Sequence, residues 1–308
     1  MFSNWRRLQR PSPRPRKRIG PINRITISNE PEIHASLQNV ARTCEIAVVV
    51  GMPGVGKSLF VQQLALIAQQ EGRSVHLLQW DVTRRAFETN DILARYPDLE
   101  NGETHPLIRK AVGMWSRSGV LQWHREYGNS GHMLIVEAPL VGNRLVEISQ
   151  PADDEAELVL AGSRSRFILP VPSVEVRREI GRRRAETSLA PRHSREASDA
   201  PPNLLDEAWR DLYQIGRSLT LADNHQAFPE FDPDVYEAVF ERILRHRATT
   251  VLRINEVLEG KGSVYDLDGI VSEVSANPTE ARDIILHLES KFTLDELDTH
   301  VDQWHRVE

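Results

Sequence analysis

Gly51-Met52-Pro53-Gly54-Val55-Gly56-Lys57-Ser58, set between Glu45-Ile46-Ala47-Val48-Val49-Val50 and the stretch Leu59 to Gln70, decides the fold. The octapeptide fits the pattern G-x-x-x-x-G-K-[ST] with no mismatch. Its glycines let the backbone turn tightly enough for successive N–H groups to face an anion. The segment before it is β-branched and almost free of polar residues, as a buried strand is. The segment after it carries Leu59, Phe60, Leu64, Ile67 and Ala68 at helical spacing, and a helix N-terminus attracts phosphate. In this arrangement the expected nucleotide contacts are Gly51, Met52, Pro53, Gly54, Val55, Gly56, Lys57, Ser58 and Leu59. Lys57 reaches the β and γ phosphates, and the Ser58 hydroxyl holds Mg²⁺. A chance glycine turn fits these flanks poorly. A degenerate loop that binds nucleotide without turning it over stays open.

The chain has 308 residues, 40% of them apolar and 27% charged, enough for a full core in one large or two small domains. It has no apolar run near the roughly 20 residues that cross a bilayer and no apolar stretch of a secretory signal at its start. A single cysteine, Cys44, excludes an internal disulfide framework and a multi-cysteine zinc site. A cytoplasmic location is the expectation. The net charge of -6 is unevenly distributed. Residues 1–24 hold eight basic and no acidic residues, which leaves 30 basic against 44 acidic in the remainder. Pro11, Pro13, Pro15 and Pro21 block helix there. The reading is a disordered tail over 1–29, either a solvated tail or a weak polyanion tether through residues 1–24.

Strands are expected at Ser74–Asp81, His132–Glu137, Arg166–Pro172 and Thr249–Asn255, with a short edge at Ser263–Leu267. Helices are expected at 31–43, over most of the insert 83–130, at Val174–Ala185, through 204–247 and at Pro278–Ser290. Strands alternating with helices imply a parallel sheet covered on both faces. Ligands then sit beyond the carboxyl ends of the strands, where Gly51, Asp81 and Glu137 all fall.

Mg²⁺ takes few protein oxygens and keeps waters and phosphates. Ser58 supplies one such oxygen and Glu137 the next, with capping of the following turn as the lesser role for Glu137. Asp81 suits either acceptance of a proton from an acceptor hydroxyl or the ordering of Val82-Thr83-Arg84-Arg85. The arginine-rich stretch 174–203 reads as a lid that excludes water and stabilises the charge of the transferring group. Arg178 and Arg182, four apart on one helical face, suit that work; the other readings are a solvated helix and an RNA-binding patch, the patch weakened by the interleaved Glu175, Glu179 and Glu186. The histidines show no metal-ligand spacing.

Taken together, Gly51 to Ser58, the strand ending in Asp81, the strand ending in Glu137 and Arg177 to Arg184 resemble the P-loop kinases, within them the uridine kinase and phosphoribulokinase group. The resemblance implies an α/β P-loop NTPase three-layer sandwich over 30–295. It would have a parallel sheet of about five strands, a helical acceptor-side insert at 83–130, a lid at 174–203, a helical C-terminal part and a polar tail at 296–308. It implies ATP and Mg²⁺ as cofactors and phosphoryl transfer to a small-molecule acceptor. Asp81 would accept the proton, Glu137 would link to the metal, and Lys57, Arg178 and Arg182 would serve the transferring group. Glu137-Ala138-Pro139 departs from that group, which often has glycine after the acid. The loop with its preceding helix is also similar to STAND and AAA+ ATPases, but their acid strand usually ends in two acids, whereas Val136-Glu137-Ala138 has one.

Overall fold

The computed structural model describes residues 25–307 except 101, 192, 194, 197–201, 223–229 and 259–262. The basic stretch 1–24, with its tether reading, lies outside the described residues. Six strands form one all-parallel sheet: β1 (Ile46–Val50), β2 (Ser74–Gln79), β3 (His132–Ala138), β4 (Ser165–Pro172), β5 (Thr249–Ile254) and β6 (Ser272–Glu273), in the order β5-β4-β1-β3-β2-β6. The helices among the described residues are α1 (Pro31–Thr43), α2 (Lys57–Gln70), α3 (Trp80–Thr83), α4 (Asn90–Leu93), α5 (Pro106–Tyr127), α6 (Glu155–Leu160), α7 (Val174–Leu189), α8 (Pro202–Ser218), α9 (Pro233–Ile243), α10 (Pro278–Lys291) and α11 (Leu294–Asp302).

The near-continuous apolar strands follow from burial on both faces. Ala47 and Val49 of β1 join Val75, Leu77, Met133, Ile135 and Ile168 in a core closed by α1 and α2. Ile46, Val48 and Val50 point the other way, with Leu78, Leu134, Val136 and Phe167, into a core filled from α5, α8, α9 and α10. Alternation of period two thus sorts each strand between the two cores.

Several expectations shift. The sheet has a sixth strand, at Ser272–Glu273 rather than at Ser263–Leu267; Val271 and Val274 donate backbone hydrogen bonds to Val75 and Leu77 of β2. Two residues are too short a run to show periodicity. β2 stops at Gln79, and Asp81 lies in the helical turn α3 because Trp80 turns inward to a buried site. Pro170 and Pro172 are tolerated because β4 pairs with β1 only through Ile168 and beyond that with β5 alone. α7 runs on to Leu189, past the end expected at Ala185, since no glycine or proline interrupts it before Pro191. Residues 296–308, read as a polar tail, contain most of α11, and Leu297, Val301 and Trp304 are buried. The wide spacing of these apolar residues among acids hid the packed face. At the other end Thr26 donates its N–H to Gln63 Oε1 at 2.8 Å and Ile27 is buried, so the packed part begins before residue 30. No helix among the described residues is long and apolar enough to cross a membrane.

One buried ion network ties the end of α9 to α6. The fully buried Arg247 side chain meets Glu157 at 2.6 and 2.8 Å and donates to the carbonyls of Ile148 and Gln150. Arg247→Ala is expected to destabilise the fold by about 2–3 kcal/mol, because Glu157 loses one charge-assisted pair, keeping Arg117 at 2.9 Å, and the Ile148 carbonyl loses its buried donor. Urea unfolding measures this, and a loss below about 1 kcal/mol would mean that the network contributes little.

Candidate functional site

The loop between β1 and α2 leaves the sheet at Gly51 and enters the helix at Lys57. Gly51, Gly54 and Gly56 adopt φ of 135°, 81° and 90°, a region that side chains resist. Lys57 is buried and its Nζ donates to the Met52 carbonyl at 2.9 Å, which lays the ammonium across the loop. Adjacent pairing of β1 with β3, register Val49 to Glu137, brings the end of β3 beside the start of α2. As a result the Ser58 hydroxyl donates to Glu137 Oε1 at 2.8 Å. Gln79, at the end of β2, donates to Glu137 Oε2 at 2.7 Å. A hydroxyl and a fixed carboxylate in contact, on separate elements, form the sparse hard-oxygen set that Mg²⁺ prefers. No group of three or more candidate metal-binding side chains occurs among the described residues, and such an ion does not require one.

Asp81 lies 65% exposed, 3.7 Å from Arg84 Nε. It lines a small cleft with Gln79, Arg85, Glu137, Arg195 and Tyr265. Asp81 and Glu137 therefore share one opening, as the strand ends suggested. Arg195 donates to Gln79 Oε1 at 2.8 Å and also pairs with Glu273.

The structure does not bring Arg178 and Arg182 to the loop. Arg178 pairs with Glu230, which precedes α9, and Arg182 pairs with Glu179 and Glu186 on the exposed side of α7. Spacing of three and four along one helix favours such pairs. The arginine that reaches the loop is Arg177. It donates to the Pro53 carbonyl at 3.2 Å and to the Leu205 carbonyl at 3.0 Å, and it stacks 4.6 Å from the Phe231 ring. Burial lowers its pKa to about 10. The signal for it was the inward face of α7, where Val176 and Ile180 flank it. Gln79 and Tyr236 carried no comparable signal. Tyr236 is fully buried, and its hydroxyl closes the underside of Gly51, 2.3 Å from where a Cβ would stand.

Family models, curated proteins and solved structures all yield no match to the chain.

Proposed function

We propose that the chain is a P-loop kinase-like enzyme that binds ATP with Mg²⁺ and transfers the γ phosphoryl group to a small-molecule hydroxyl. The observation that carries this reading is the 2.8 Å contact between Ser58 and Glu137 at the foot of the glycine loop. Mg²⁺, when bound, would supply positive charge that offsets the charge developing on the transferring phosphate. Ser58 and Glu137 would hold it, with Gln79 keeping the carboxylate oriented. Lys57 would exchange the Met52 carbonyl for phosphate oxygens. Asp81 would accept the proton of the attacking hydroxyl in the cleft that it shares with Glu137. Arg85, on the same cleft, fits an anionic group on the acceptor. The single acid at the end of β3 and its direct contact with Ser58 favour this reading over a STAND or AAA+ type ATPase.

The test is acceptor-stimulated ADP release across a metabolite library, with ATP binding followed by calorimetry. Asp81→Asn is expected to leave ATP affinity within about twofold and to lower transfer about 100-fold or more, the range of general base catalysis. Transfer at the parent rate would remove Asp81 from the chemistry. ATP hydrolysis at full rate with no small acceptor would instead favour the switch-type ATPase.

A further inference from the structure

The chain that follows β3 turns back on itself at once. Leu140 and Arg144 form an antiparallel bridge, and Leu140, Gly142, Asn143 and Leu145 have φ of 62°, 64°, 59° and 63°. Three of these four are not glycine, so the turn holds a conformation that costs energy. Two guanidinium groups converge on it. Arg109, in the first turn of α5, donates through Nη1 to the Gly142 carbonyl at 3.0 Å. Arg144 donates through Nη1 to the neighbouring Val141 carbonyl at 3.0 Å. Both Nη1 atoms lie close to where a Gly142 Cβ would stand, at 3.3 Å for Arg109 and 2.6 Å for Arg144.

Arg109 is only 6% exposed, and its Nε is buried with no hydrogen-bond partner. Among the described residues no carboxylate lies within 4.0 Å of it. Its nearest charge of consequence is the like charge of Arg144, which adds to burial in lowering its pKa. Glu103 is held 3.2 Å from Arg144, and Glu103, Asp302 and Asp298 act on Arg109 only from beyond 4.0 Å. A staple for the turn would need one N–H from each side chain. It would not need a second buried cation whose Nε, part of the fork used to recognise oxyanions, is left without a hydrogen-bond partner. Burying a charge without a counter-charge is costly, and an oxyanion would supply one for Arg109 while competing with Glu103 for Arg144.

We propose that Arg109 and Arg144 form an oxyanion site at Gly142, separate from the glycine loop, that takes a phosphate group, free or as a monoester. The site does not depend on nucleotide binding at Lys57. It is tested in the full chain carrying Lys57→Met, which removes the loop's own phosphate-binding ammonium. Inorganic phosphate and phenyl phosphate, titrated separately by calorimetry, are the probes. Both are expected to bind. Arg144→Met is then expected to weaken binding about tenfold or more, the weight of a charge-assisted hydrogen bond. Glu103→Gln is expected to tighten it, because it frees Arg144 from its carboxylate. A stapling role predicts the reverse pattern: a lower unfolding midpoint for Arg144→Met with no change in phosphate affinity. Arg109→Lys, which keeps the buried charge but loses the fork, should retain the fold and weaken both probes. Phenyl phosphate binding as tightly as phosphate assigns the site to a monoester ligand, and phosphate alone assigns it to the free ion. Phosphate affinity indifferent to Arg144→Met and Glu103→Gln, or no binding of either probe, overturns the proposal. Nucleotide binding unaffected by Lys57→Met would count against the proposed function and not against this site.

Discussion

Lys57→Met is expected to weaken MgATP binding about 100-fold or more while leaving the protein as stable as before, or more so. The two effects have opposite signs for one reason. The Lys57 ammonium is buried, and its Nζ donates to the Met52 carbonyl. Burying an ammonium costs desolvation, and an apolar side chain of similar length removes that cost while still filling the space. On the proposed reading the same ammonium meets the β and γ phosphates at low dielectric, where truncating a charged contact costs about 2–5 kcal/mol. Calorimetry with MgATP and a thermal unfolding midpoint test the pair. Parent affinity in the variant would sink the assignment of the loop to phosphate. A large fall in midpoint would mean that Lys57 is chiefly a structural group.

Gly51→Ala is expected to destabilise the protein by roughly 4 kcal/mol, combining backbone strain with overpacking. Gly51 has φ of 135°, and its Cβ would stand 2.3 Å from the Tyr236 hydroxyl and 2.9 Å from Val55 Cγ2. Tyr236 cannot retreat easily, since its ring is fully buried between Phe231 and Phe240. Removing the hydroxyl in Gly51→Ala/Tyr236→Phe should recover about half of the loss, the overpacking share, and leave the backbone share. Denaturant unfolding of both single variants and the double variant gives the coupling. Strict additivity would show that the hydroxyl does not press on Gly51. Nucleotide binding should fall in Gly51→Ala and return only in part with Tyr236→Phe, because the loop's conformation is what the glycine protects.

Much of the fold could be read from local pattern. The glycine spacing of 51–56, the apolar run before it and the helical spacing after it are all short-range properties, and they yield β1, the loop and α2 with little displacement. β3 and β4 were legible for the same reason. β6 was not, because a two-residue strand is defined by its partner, β2, and not by its own pattern. Asp81 was placed at a strand end and stands two residues beyond it, since the burial of Trp80 is a tertiary event. The C-terminal tail was misread because the apolar face of α11 becomes visible only when it has a surface to meet.

The sequence by itself determined a glycine loop with a lysine and a hydroxyl at its end, on a strand followed by a helix, with acids near two other strand ends. Only the tertiary structure decided which side chains these groups meet. Adjacent pairing of β1 and β3 set Ser58 against Glu137, and pairing of β2 with β3 gave Glu137 the amide of Gln79. Packing of the helices and of the turn after β3 sent Arg178 and Arg182 to solvent and turned Arg177, Arg109 and Arg144 toward backbone carbonyls. The spacing of residues records which face of a helix is apolar. Whether an arginine beside that face ends in water or against a carbonyl depends on what packs there, and that is a property of chain segments far apart in sequence.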